Sequence, residues 1–117
     1  MAEESPELIA AMRDLSRRFA DRIPSVYEES EQLFLKIKTH TRAADCAEET
    51  QDLLRAVHSL VGTGRQFGFM ELADVAAACE KQVAALKEAS DEDWSAALEL
   101  TADKLAALFA FHVEIPE

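Results

Sequence analysis

Glycine, proline and cysteine are scarce: three, three and two residues in a chain of 117. So few helix breakers, in a chain rich in Ala, Leu and Glu, point to a helical protein. Nothing reads as a strand, and neither internal repeats nor low-complexity stretches occur. Cys46 and Cys79 make neither a disulfide framework nor a zinc-binding spacing, so they are expected to be small buried hydrophobes in a reduced cytoplasm. Positive charge is also in short supply, with 12 Lys and Arg against 23 Asp and Glu and a formal net charge of −11. Such a surface repels phosphate backbones and anionic lipids, which argues against nucleic acid or a membrane as partner. The longest apolar run, Leu105–Phe111, is too short to span a bilayer. The start, Met1–Pro6, is acidic and polar, with no secretory signal. Cytoplasmic location follows as the expectation.

What is present is apolar periodicity. The length fits one domain over residues 1–117, and 49% hydrophobic residues suffice for one core. Helical spacing covers Pro6 to Asp21 through Leu8, Ile9, Met12, Leu15 and Phe19. Pro24 is expected to break that helix, and a second runs from Ser25 to Lys38 on Val26, Leu33, Phe34 and Ile37. Thr39–Asp45 reads as a connection, and Asp45 with Glu48 resembles a capping box opening a third helix over Cys46–Gln66. Phe67-Gly68 is the next turn. A fourth helix spans Phe69–Ala89 on Leu72, Val75, Cys79, Val83 and Leu86. Ser90 with Asp93 repeats the capping pattern before a fifth helix over Asp91–Val113. The expected fold is all-α: an antiparallel up-down-up-down four-helix bundle with an additional N-terminal helix acting as a lid.

All three glycines fall at positions 62, 64 and 68, within ten residues of His58. Gly62 and Gly64 lie inside the third helix, where each costs on the order of 1 kcal/mol relative to Ala. On that helix Leu53, Val57, Leu60 and Gly64 share the core face, so Gly64 is expected to admit a neighbouring helix. Gln51, Arg55, His58, Gly62 and Arg65 share the opposite face. His58 is therefore expected to be exposed, one turn before a residue without a side chain. A histidine that attacks a phosphoryl group must be reachable by another protein's active site, and Gly62 leaves that room. Arg55 and Arg65 are candidate sources of local positive potential for the charge such a transfer brings.

The stretch Val57-His58-Ser59-Leu60-Val61-Gly62, then Phe67-Gly68, Leu72 and Cys79-Glu80, resembles the signature of histidine-phosphotransfer (HPt) domains. In that family a His is followed two on by Leu, four on by Gly, ten on by Gly and fourteen on by Leu. His58, Leu60, Gly62, Gly68 and Leu72 match all five positions, and Glu80 sits where many members have a Leu-Glu pair. The resemblance implies that His58 is the phosphoacceptor. It implies partners that are response-regulator receiver domains, a hybrid sensor histidine kinase, or both. The carrier needs no cofactor or metal of its own, with Mg²⁺ expected from the receiver, and a monomer is expected. One position departs from the pattern: Val61 stands where the family usually has a Lys that helps to stabilise the phosphoryl group.

Leu54, Val61 and Phe69 are expected to form an exposed apolar docking surface around His58, while Leu60, Gly64, Gly68 and Leu72 are structural. His40 and His112 are expected to be inert. A kinase dimerisation domain is disfavoured, because Ser59 rather than an acid follows His58, no Pro lies between Pro24 and Pro116, and a Gly-rich phosphate loop is missing. An autonomous enzyme is disfavoured because the face around His58 offers no carboxylate to orient the ring. An adaptor that binds receivers or another signalling protein without carrying phosphate remains the alternative, kept open by Val61.

Overall fold

The computed structural model describes residues 5–113; Met1–Glu4 of the acidic start and residues 114–117 lie outside it. Four helices follow one another: α1 (Pro6–Ile37), α2 (Ala47–Gln66), α3 (Met70–Lys87) and α4 (Trp94–Phe109), with a 3₁₀ turn, Ala43–Cys46, before α2. No strand occurs among the described residues. α1 packs on α2, α2 on α3 and α3 on α4, giving an antiparallel bundle. Among the described residues no helix is long and apolar enough to cross a membrane.

The two helices expected before residue 39 are one. Ser5 caps α1, its hydroxyl accepting from the Leu8 amide at 3.1 Å, and Pro6 occupies the first turn. Pro24 then sits inside the helix without ending it. An interior proline costs about 3 kcal/mol, because one hydrogen bond is lost and the ring crowds the preceding turn. The apolar seam keeps its phase across the proline: Phe19, Ile23, Val26, Leu33 and Ile37 all pack on the core. Burying that one continuous seam outweighs the local cost. The N-terminal helix is therefore no lid, but the first half of α1. At 1.5 Å per residue α1 is about 48 Å long and α2 about 30 Å. Phe19 meets Phe67 and Phe69 at the end of α2, with ring centroids 5.9 and 5.8 Å apart, so most of α1 before it projects past the bundle.

The expected caps also resolve differently. Asp45 does not cap α2; both its oxygens accept from Arg42, at 3.1 and 3.3 Å. Arg42 holds the Asp45 carboxyl below its ordinary range, by hydrogen bond first and charge second. Ser90 does accept from the Asp93 amide, at 3.2 Å, but in the turn before α4, which starts at Trp94. The Trp94 indole donates to the His40 carbonyl at 2.8 Å and ties that turn to the α1–α2 connection.

The core is formed by Ile23 and Ile37 of α1, Leu53, Val57 and Leu60 of α2, Leu72, Ala76, Cys79, Val83 and Leu86 of α3, and Leu105 and Leu108 of α4. Both cysteines are free and buried, and burial pushes the Cys79 thiol up to about 12. Tyr27 closes α1 against the end of α4, its ring 5.3 Å from that of Phe109 and its hydroxyl donating to the Phe111 carbonyl at 3.0 Å. Burial raises the Tyr27 hydroxyl from 10.0 to about 12. The folded state thus holds this proton more tightly than the unfolded chain does. Its contribution is complete below pH 10 and is lost as pH rises towards 12. Chemical denaturation at several alkaline pH values should show a shallower loss of stability over that window in Tyr27→Phe than in the parent. Equal slopes would remove Tyr27 as the cause.

Candidate functional site

His58 stands mid-way along α2, with its side chain 70% exposed. The opposite face of the same helix carries Leu53, Val57 and Leu60, all buried. A single 3.6-residue period thus makes one face core and the other solvent. One turn on, Gly62 is open: a Cβ built there would meet nothing within 4 Å. Gly64 differs. A Cβ there would lie 3.4 Å from both the Ala73 Cβ and the Phe69 carbonyl oxygen, so Gly64 is where the start of α3 crosses α2 closely. Gly68 ends α2 with φ +82°. The Phe69 amide reaches back to the Gly64 carbonyl at 2.8 Å and the Gly68 amide to Arg65 at 3.2 Å, a Schellman closure that needs a left-handed residue at position 68. Leu60 and Leu72 are buried on either side of this turn.

The residue that sequence reasoning missed is the partner of the ring. Glu80 of α3 places Oε2 against His58 Nδ1, so a carboxylate does orient the imidazole. The expectation of none came from considering α2 alone. Glu80 follows buried Cys79 on α3 and is 28% exposed at its side chain. The antiparallel packing of α2 and α3 carries it across to position 58. With Nδ1 donating to this carboxylate, the neutral ring keeps its lone pair on Nε2. Nε2 has no hydrogen-bond partner among the described residues.

The same two helices supply cations along one strip. Arg55, one turn before His58, is exposed and 3.7 Å from Asp52. Arg65, two turns after it, is exposed. Lys87 of α3, not anticipated from the sequence, donates to Gln51 Oε1 at 2.7 Å and joins the strip from the other side. No group of three or more His, Cys, Asp or Glu side chains that could hold a metal ion occurs among the described residues.

The expected apolar docking surface is corrected. Val61 is only 5% exposed and belongs to the core. Three residues past His58 rotate it about 60° off the exposed row, towards Val57 and Gly64. Leu54 and Phe69 are half-buried, and Phe69 is occupied by the Phe19 ring. The apolar concavity near His58 instead lies between α1 and α2, a groove of about 380 Å³ lined by Arg18, Phe19, Arg22, Val26, Ser59 and Phe67 among others. Finding it requires knowing that α1 is continuous.

The site is an exposed histidine, oriented by a carboxylate and one turn from an open glycine on a helical bundle, where another protein can reach the ring. The family comparison agrees. The model of the Hpt domain matches residues 1–111, and the chain belongs to that family. Hpt domains are helical-bundle phosphocarriers of two-component phosphorelays, and their partners are response-regulator receiver domains. Neither the curated proteins nor the solved structures contain a match.

Proposed function

We propose that the protein is a phosphorelay intermediate that carries a phosphoryl group on Nε2 of His58 and exchanges it with an aspartate of a receiver domain, free or within a hybrid sensor kinase. The observation that carries the reading is the His58–Glu80 pair beside open Gly62. Glu80 holds the proton on Nδ1, so the Nε2 lone pair is available for in-line attack. An N–P bond forms as the P–O bond to the aspartyl carboxylate breaks, and the bonding electrons leave with that carboxylate. The ring then bears a positive charge, which Glu80 offsets. The reverse reaction uses the same groups. Mg²⁺ and most of the charge stabilisation come from the receiver, as positioning dominates such transfers.

Val61 brings no amine to the phosphoryl group, and Arg55, Arg65 and Lys87 are the cations of this face. The receiver rests on the α1–α2 groove, with Gly62 giving clearance. Phe69 supports the groove from beneath through Phe19 rather than by touching the partner.

Incubation with a phosphorylated receiver tests the reading. Acid-labile, base-stable phosphate on His58 is the expected product. A stable complex that leaves the protein unphosphorylated would replace the carrier by the adaptor. Glu80→Ala should slow transfer about tenfold, since a charge-assisted hydrogen bond contributes roughly 1.5–3 kcal/mol and this one is partly screened. Glu80→Gln, which keeps a neutral acceptor for the Nδ1 proton, should lose less. An unchanged rate in Glu80→Ala would remove the carboxylate from the mechanism.

A further inference from the structure

The projecting half of α1 carries an apolar row that nothing among the described residues covers. Leu8, Ile9, Met12 and Leu15 are each between 40% and 50% exposed. Leu8, Met12, Leu15 and Phe19 follow the same 4-3-4 spacing that α1 continues through Ile23, Val26, Ser30, Leu33 and Ile37. From Phe19 onward that seam is packed against the bundle; before it, the seam runs on into solvent. Apolar residues contiguous with a core and left bare on a projecting helix mark a surface for association.

The charges beside that row identify the occupant. Glu7, Ala11, Asp14, Arg18 and Arg22 form the adjacent helical row, and the Arg18–Asp14 ion pair at 3.0 Å confirms the shared face. The row is polar in sequence: acids at its N-terminal end, bases at its C-terminal end. Two such rows laid antiparallel set Glu7 of each copy against the Arg18–Arg22 end of the other. Laid parallel, acid would meet acid. From Glu7 to Arg22 the segment holds four arginines against three carboxylates, whereas the whole chain has a formal net charge of −11. Two copies repel over most of their surface, and this segment escapes that repulsion.

We propose that the projecting half of α1 is a homodimer interface, in which two copies pair antiparallel about a two-fold axis. Leu8 of one copy packs near Phe19 of the other, and Met12 near Leu15, each contact occurring twice as two-fold symmetry demands. The tip of each α1 then covers the Phe19, Phe67 and Phe69 cluster at the end of the other bundle. This replaces the monomer expected from the sequence. The His58–Glu80 pair of both copies stays exposed, but the tip of the other copy's α1 takes the Phe19–Phe67 end of the α1–α2 groove, so the dimer and a receiver seated in that groove exclude each other. Sedimentation reads the dimer without reference to phosphotransfer.

Sedimentation equilibrium of the full chain tests the proposal. The parent should show about twice the 13.0 kDa of one chain. Leu8→Glu combined with Met12→Glu should return a monomer with unchanged helicity, because neither residue belongs to the core. Reversing one end of the charged row, Arg18→Glu with Arg22→Glu, should raise the dimer dissociation constant at least tenfold. Adding Glu7→Arg and Asp14→Arg to that variant should restore it, since the row is then polar again in the opposite sense. A parent that stays monomeric at every concentration, or a dimer that survives Leu8→Glu and Met12→Glu, overturns the proposal. So does a monomeric parent in which the same two substitutions abolish receiver binding, which would assign this face to the receiver instead.

Discussion

His58→Gln should abolish phosphoryl acceptance while melting within a degree or two of the parent. The side chain is 70% exposed and is hydrogen-bonded to the Glu80 carboxylate at the surface, so its removal takes little packing with it. Substitutions at such positions usually stay within about 0.5 kcal/mol. Glutamine has no imidazole nitrogen to form the N–P bond, so the loss of transfer should be complete rather than partial. The measurement is radiolabel transfer from a phosphorylated receiver, alongside thermal denaturation of the same preparation. A variant that accepts phosphate as well as the parent does would move the acceptor away from position 58.

The second large effect separates two glycines two residues apart. Gly62→Gln should leave the bundle folded, because a Cβ at this position meets nothing within 4 Å. Its side chain would nevertheless stand one turn beyond His58, in the space a receiver's active site must enter, and transfer should fall by orders of magnitude. Gly62→Ala should do the reverse, stabilising α2 by up to roughly 1 kcal/mol with little effect on transfer. Gly64→Val should behave in neither way. With Ala73 and the Phe69 carbonyl already 3.4 Å from a Cβ, the extra methyls must push α3 off α2. Overpacking of this kind costs about 1–3 kcal/mol, and transfer should fall only in step with unfolding. Rates and denaturation curves for the three variants check the whole pattern. A stable Gly62→Gln with parental transfer would end the steric account of Gly62.

What lay within one helix was legible in the sequence. The 3.6-residue period placed His58, Arg55, Gly62 and Arg65 outward and Leu53, Val57, Leu60 and Gly64 inward, and the burial of α2 follows that division. Gly68 was readable as a turn because helices so often end on a left-handed glycine. What depended on two helices was not legible. Glu80 lies 22 residues from His58, and only the register of α2 against α3 brings the two together. Val61 sits at the edge of the helical wheel, where a small rotation decides between core and solvent, and packing decided for core. Pro24 carried a correct local signal that tertiary burial overrode. Asp45 carried a correct capping signal as well, but Arg42 lies within reach and takes both its oxygens.

The position of the phosphate on the ring tests the account most directly. After phosphorylation of uniformly ¹⁵N-labelled protein by a receiver, long-range ¹H–¹⁵N correlation spectra distinguish phosphate on Nε2 from phosphate on Nδ1. With Glu80 holding Nδ1, His58 should carry its phosphate on Nε2, and the Nδ1 signal should remain that of a protonated nitrogen. Phosphate on Nδ1, or a His58 spectrum unchanged while the receiver loses its phosphate to the protein, would contradict it.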